Sequence, residues 1–196
     1  MTTVSFIFHG FLHHLLNKEL RAVSPLLHHF DRRASIKDVI ESLGIPHPVI
    51  ESLVVNGRKT GFNYILLDND NVEVNPQTPP VNPLIPTILR PEPLEDIAFA
   101  VDVNAGKLAL FLRMLGFDTV YENDMDKGRL IKIAVSQNRI LLTRDKSLLK
   151  RKIITHGYLL MAQEPDRQLM EIISLYDLNS RIKPLTRCIP CNGLLV

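Results

Sequence analysis

The spacing of apolar residues changes character along the chain and predicts two regions of different architecture. In the first region, residues 4–8 alternate like a half-buried strand, and a second strand is predicted within residues 20–29. A clear helix follows, with Ser35 as its N-cap, an apolar stripe at i, i+3, i+4 and i+7, and Gly44 at its end. This region therefore combines short strands with one helix.

The remainder of the first region predicts a hairpin and a final strand. Residues 53–55 lead into Asn56-Gly57, a dipeptide that favours tight hairpin turns because both residues accept a positive φ. A polar turn then precedes a short strand over residues 72–74. One helix among four or five strands predicts an α+β domain over residues 1–76.

A proline-rich segment separates the two regions. Proline removes a backbone donor and disfavours helix in the residue before it, so this segment predicts a semi-rigid linker over residues 77–95. Its prolines, together with the one that ends the first region, are Pro76, Pro79, Pro80, Pro83, Pro86, Pro91 and Pro93.

The second region, residues 96–187, alternates between strand and helix patterns. Strands are predicted at 97–101, 117–121, 139–143 and 158–161. The first helix is predicted from a stripe of Leu108, Phe111, Leu112 and Leu115 and ends at Gly116, and further helices are predicted at 127–137, at 146–151 and from Pro165. Such alternation predicts a three-layer α/β domain with a parallel sheet and right-handed crossovers.

Acidic residues follow the predicted strands of this second region. Asp102 ends one apolar run and Asp145 follows another. The carboxyl ends of parallel strands meet at one edge, where α/β sheets bind ligands. Two carboxylates there can share one divalent cation, such as Mg²⁺ or Mn²⁺, which suits phosphodiester chemistry.

A third acid is predicted at the same edge, between a strand and a helix. Asp126 is the first choice, because it immediately precedes a helix, and Asp124 is the second. Helix capping is the competing interpretation for Asp126 and Asp145, since aspartate is a preferred N-cap residue. Asp102 has no equally good alternative.

Charge and composition narrow the function classes. The net charge is +2, but a run of basic residues surrounds Asp145, namely Arg139, Arg144, Lys146, Lys150, Arg151 and Lys152. This run suits a polyanion, and a solvated helix face is the alternative. The sequence contains no nucleotide-binding or serine-hydrolase motif. It shows no signal peptide and no membrane span, which predicts a cytoplasmic protein.

Several of these segments carry a family resemblance. Residues 101–109, 112–119 and 139–145 resemble the PIN-like nuclease domains of the Mut-seven carboxy-terminal type, and residues 187–193 are similar to that family's entry into a zinc ribbon. The first region resembles ubiquitin-like β-grasp domains of the sulfur-carrier type. It lacks a terminal Gly-Gly, so a binding or positioning role is the better interpretation.

The resemblance implies a fold and a set of site residues. The fold is an α+β β-grasp domain followed by an α/β PIN-like three-layer domain with a mainly parallel sheet. Asp102 and Asp145 would lie in the acidic site of a metal-dependent ribonuclease, with Asp124 or Asp126 as the third acid. Basic residues would contact the RNA phosphates. These are Lys107, Arg113 and Arg144, joined by Lys146 from the basic run, with surface charge as the alternative.

The end of the sequence departs from the family pattern. A tetrahedral zinc site needs four ligands, and residues 188–196 supply only Cys188 and Cys191. The ribbon has been truncated, has been lost, or is completed by a partner; truncation is the explanation we favour. Zinc is expected only if the ribbon is completed.

Two functions follow. The first is a Mg²⁺- or Mn²⁺-dependent ribonuclease. The second is a non-catalytic adaptor that binds RNA or a ribonucleoprotein and uses the β-grasp domain to dock a protein partner.

Overall fold

The computed structural model describes residues 1–195, and the chain divides into two compact units. The first unit comprises Met1–Gln77 and Thr87–Pro91, and the second comprises Thr78–Pro86 and Glu92–Val196. The proline-rich segment therefore contributes residues to both units.

The first unit is built on a mixed five-stranded sheet. Its strands are β1 (Thr2–Phe8), β2 (Leu26–Phe30), β3 (Ile50–Val55), β4 (Arg58–Thr60) and β5 (Asn71–Pro76), and its helices are α1 (Leu12–Leu15) and α2 (Ile36–Ser42). The strand order is β2-β1-β5-β3-β4. The central β1–β5 pair is parallel and the other neighbours are antiparallel. This is the predicted ubiquitin-like α+β fold.

Local signals explain the helix and the hairpin of this unit. The Ser35 hydroxyl accepts a hydrogen bond from the backbone N–H of Asp38 and caps α2, and Gly44 ends the helix at φ +114°. Asn56 and Gly57 take positive φ in the turn between β3 and β4, as predicted. The second strand begins only at Leu26, because the chain before it forms a 3₁₀ turn and a bend.

The second unit alternates strands and helices as predicted. Its elements are β6 (Phe99–Val101), α3 (Gly106–Met114), β7 (Thr119–Val120), α4 (Lys127–Ser136), β8 (Ile140–Thr143), α5 (Lys146–Leu149), β9 (Gly157–Leu159) and α6 (Pro165–Leu175). The strand order is β7-β6-β8-β9, and every pairing is parallel. None of the helices within residues 1–195 has the length and apolar composition that crossing a membrane requires.

The central strands of this parallel sheet are buried along their whole length. Every residue of β6 and β8 is almost inaccessible to solvent, as expected of strands covered on both faces. Val101 pairs with Leu142, so the two strands end side by side. Residues that follow them are thereby placed at one edge of the sheet.

Candidate active site

Asp102 lies at the carboxyl end of β6 with its carboxylate buried. It is only 2% exposed, and its backbone N–H donates to the carbonyl of Leu142 on the neighbouring strand (3.0 Å). The carboxylate oxygen Oδ2 accepts from the hydroxyl of Thr143 (2.8 Å) and more distantly from the amide of Asn104 (3.4 Å). Among the described residues no protein group donates to Oδ1. That oxygen is therefore open to a ligand.

Thr143 joins the two strand-end aspartates. Its hydroxyl donates to Asp102 and accepts from the backbone N–H of Asp145 (2.9 Å). The Thr143 side chain is fully buried, so the hydroxyl has no water to replace either partner. One side chain thus fixes Asp102 and Asp145 at the same edge of the sheet.

Asp145 is the N-cap of α5 and also one half of an ion pair. Its Oδ1 accepts from the backbone N–H of Ser147 (2.8 Å), and its Oδ2 accepts from Nζ of Lys127 (2.6 Å). The hydrogen bond from Lys127 lowers the pKa of Asp145 and outweighs the partial burial of the carboxyl group, which works in the opposite direction. Asp145 is therefore ionised at neutral pH. Helix capping accounts for Oδ1 of this residue, but not for the contact between Oδ2 and Lys127.

Lys127 is a residue of the candidate site that sequence reasoning missed. It is the first residue of α4. The hydrogen bond with Asp145 and the charge of Asp145 raise the pKa of Lys127, and the charge of Asp102 raises it further. Lys127 thus lies near both acids. Its proximity depends on how α4 packs beside β8, and no periodicity along the chain could have shown it.

The other two predicted acids are placed differently. Asp126 is exposed and caps α4 by accepting from the backbone N–H of Arg129 (3.0 Å), and Asp124 is exposed in the preceding turn. Within residues 1–195 no three His, Cys, Asp or Glu side chains are grouped so that they could hold a metal ion. The structure therefore brings Asp102 and Asp145 together and does not add Asp124 or Asp126 to them.

Three of the predicted phosphate-binding residues lie on the segments that follow this edge. Lys107 is exposed in the first turn of α3, Arg144 is exposed directly after β8, and Lys146 is half-buried at the start of α5. All three follow the carboxyl ends of β6 and β8, as the two acids do. The segments that carry the two acids therefore also carry positive charge.

Arg113 has a structural role in place of the phosphate contact expected of it. It is only 3% exposed, and its guanidinium donates to the carbonyls of Thr119, Tyr121, Ile189 and Pro190 at 2.8–3.1 Å. These bonds use all three of its nitrogens. Arg113 therefore fastens the carboxyl-terminal segment to the region around β7.

Comparisons with known proteins agree with this architecture and with the two units. The family model of the Mut7-C RNAse domain matches residues 97–196, and that of the Mut7-C ubiquitin domain matches residues 1–82. The chain belongs to the Mut7-C RNase family. No curated protein and no solved structure matches it. The resemblance inferred from the sequence is confirmed for both parts of this Mut7-C protein.

The two cysteines of the Mut7-C RNase domain lie in one carboxyl-terminal turn. The turn is closed by hydrogen bonds from Cys188 N–H to the carbonyl of Gly193 (2.7 Å) and from Asn192 N–H to the carbonyl of Cys188 (2.8 Å). A backbone hydrogen bond at Gly193, then the thiol of Cys188, lower the pKa of the exposed Cys191. Two thiol ligands are half of a tetrahedral zinc set, and the half zinc site stays a prediction.

The acidic pair of the Mut7-C RNase domain has the chemistry of a hard-cation site. Mg²⁺ is commonly bound through one or two carboxylates, with water and substrate phosphates completing its coordination. Asp102 offers the open Oδ1, and Asp145 offers a carboxylate that is ionised at neutral pH. The pair therefore fits Mg²⁺ or Mn²⁺.

Proposed function

We propose that this Mut7-C protein is a ribonuclease that hydrolyses RNA phosphodiester bonds with Mg²⁺ or Mn²⁺ held by Asp102 and Asp145. The observation that carries the proposal is the hydroxyl of Thr143, which binds both aspartates at the edge where the strands end. Its position supports a site prepared for a ligand, because a buried carboxylate is costly unless it is paired or coordinates a metal.

The residues of the site have separate tasks in this proposal. Asp102 is held by Thr143 and the cap of α5 fixes Asp145, so neither carboxylate must reorganise. Lys107, Arg144 and Lys146 neutralise phosphates and align the RNA backbone, without reading its sequence. A divalent ion, when bound, would activate water and stabilise charge at phosphorus.

The experiment is the cleavage of an unstructured single-stranded RNA by the full chain in Mn²⁺. Asp102→Asn and Asp145→Asn should each lower the rate by about 100-fold or more, because a catalytic metal contributes several kcal/mol to transition-state stabilisation. Asp177→Asn, at an exposed residue in the turn that follows α6, is the matched control and should leave the rate unchanged. Wild-type rates in both site variants would contradict the proposal.

A specific observation also favours the second candidate, an RNA-binding adaptor. Only two acids are brought together in the described part of the chain, and Lys127 already neutralises one of them. The adaptor would use the basic residues for RNA and the ubiquitin-like domain for a protein partner. RNA binding that persists without cleavage, in Mg²⁺ and in Mn²⁺, would favour the adaptor over the ribonuclease.

A further inference from the structure

The Lys127–Asp145 ion pair uses the oxygen through which Asp145 would bind a metal. Oδ1 of Asp145 is committed to the backbone N–H of Ser147, and Oδ2 lies 2.6 Å from Nζ of Lys127. Asp102, in contrast, keeps Oδ1 open. The two carboxylates therefore differ in the oxygen that they offer to a metal ion. Among the described residues, Asp102 has one without a hydrogen-bond donor, whereas both oxygens of Asp145 already accept from the protein.

The two partners of Asp145 differ in how easily they leave. Ser147 donates from its backbone, so this bond persists as long as α5 does. Lys127 donates from the end of a flexible four-carbon stem, and its side chain is 62% exposed. Exposed ion pairs contribute little to stability. Lys127 is thus the partner that can move.

We propose that Lys127 is a built-in counter-ion that a divalent metal must displace from Asp145, and that it thereby sets the metal affinity of the site. This inference rests on the proposed function. An ammonium group and a divalent cation repel each other, so Nζ of Lys127, 2.6 Å from Oδ2 of Asp145, opposes metal binding to that oxygen. Lys127 is a positioning residue in this proposal, because it acts on the metal through Asp145.

Helix α4 offers a matched control two residues away. Arg129 pairs with Glu122 at 2.7 Å in another exposed ion pair, with 56% of its side chain accessible. No bond joins the Arg129 side chain to Asp102 or Asp145 among the described residues. Replacing Arg129 removes the same charge from the same helix without freeing Asp145.

The experiment measures Mn²⁺ binding to the full chain without RNA, through the electron paramagnetic resonance signal of free Mn²⁺. Lys127→Met and Lys127→Gln should tighten Mn²⁺ binding by about 5-fold or more, the effect of one nearby unit charge even in a high-dielectric setting. Lys127→Arg and Arg129→Met should stay within about 2-fold of wild type, because each leaves a cation beside Asp145. Lys127→Met should tighten binding less in the Asp145→Asn background than in wild type, because Lys127 then acts only through its weaker interaction with Asp102.

Two results would overturn the inference, and they are distinguishable. If Lys127→Met and Lys127→Gln bind Mn²⁺ like Arg129→Met, while Asp145→Asn weakens binding, Lys127 does not compete with the metal and the proposed function stands. If neither wild type nor any variant binds Mn²⁺, the metal site itself fails, and the inference fails with it. Circular dichroism of each variant establishes that it is folded.

Discussion

At the scale of single residues, the hydroxyl of Thr143 is the group on which the geometry of the site depends. It is the last residue of β8 and in the sequence looks like an ordinary β-branched strand residue. Asp102 and Asp145 could be predicted, because strand-end acids follow from hydrophobic patterning alone. Thr143 and Lys127 could not be predicted, because their contacts depend on the packing of β6, β8 and α4 against one another.

Replacing Thr143 by valine tests this dependence. Thr143→Val keeps the shape but removes the shortest hydrogen bond that any described residue makes to Oδ2 of Asp102, together with the acceptor for Asp145 N–H. Leaving buried polar groups without partners should lower the free energy of unfolding by about 1–3 kcal/mol. Urea denaturation followed by circular dichroism measures the change. Thr143→Ser keeps the hydroxyl and should lose less; equal losses in both variants would refute the bridging role.

At the scale of elements, α4 and α5 both begin with an aspartate N-cap. Asp126 caps α4 and Asp145 caps α5, so capping and metal binding are both compatible with the same sequence signal. The contacts separate them. Asp145 also faces Lys127 and is joined to Asp102 through Thr143, whereas no such link connects Asp126 to the pair among the described residues.

We therefore expect Asp126 to act through the helix and not through the metal. Asp126→Asn keeps an N-cap and should change neither stability nor RNA cleavage measurably. Asp126→Ala removes the cap and should cost about 1 kcal/mol of stability, since that is the typical loss on replacing such a cap by alanine. Denaturation curves and cleavage rates of the two variants are compared. Loss of cleavage in Asp126→Asn, with stability intact, would instead make Asp126 a third ligand.

The element boundaries show where sequence reasoning is strong. Capping and turn chemistry are local, so the N-cap of α2 at Ser35 and the turn at Asn56-Gly57 were predicted correctly. Gly116 ends α3 at φ +92°, also as predicted. Strand ends depend on pairing with a neighbour. The strand predicted over 117–121 accordingly shortens to Thr119–Val120, the two residues that pair with β6.

At the scale of the whole molecule, the proline-rich segment links the two units and also forms part of each of them. Thr87–Pro91 belongs to the first unit, although the residues on either side of it belong to the second. Arg90 in this stretch is only 6% exposed, and its Nη2 donates to the carbonyls of Pro48 and Ile50 at 2.6 and 2.8 Å. Proline spacing predicts the absence of helix, but it does not predict that residues 87–91 pack with the first unit.

Arg90 should therefore contribute to the stability of the ubiquitin-like unit. Arg90→Met keeps much of the side-chain volume but leaves two carbonyls without a charged donor, which should cost about 2–4 kcal/mol, because hydrogen bonds to charged groups are stronger than neutral ones. Hydrogen exchange of the full chain, resolved by mass spectrometry, measures the loss. Exchange in β3 should accelerate more than exchange in β8.

Arg58→Met, at an exposed position on β4, is the matched control. If both variants exchange alike, residues 87–91 do not stabilise the unit to which their contacts assign them.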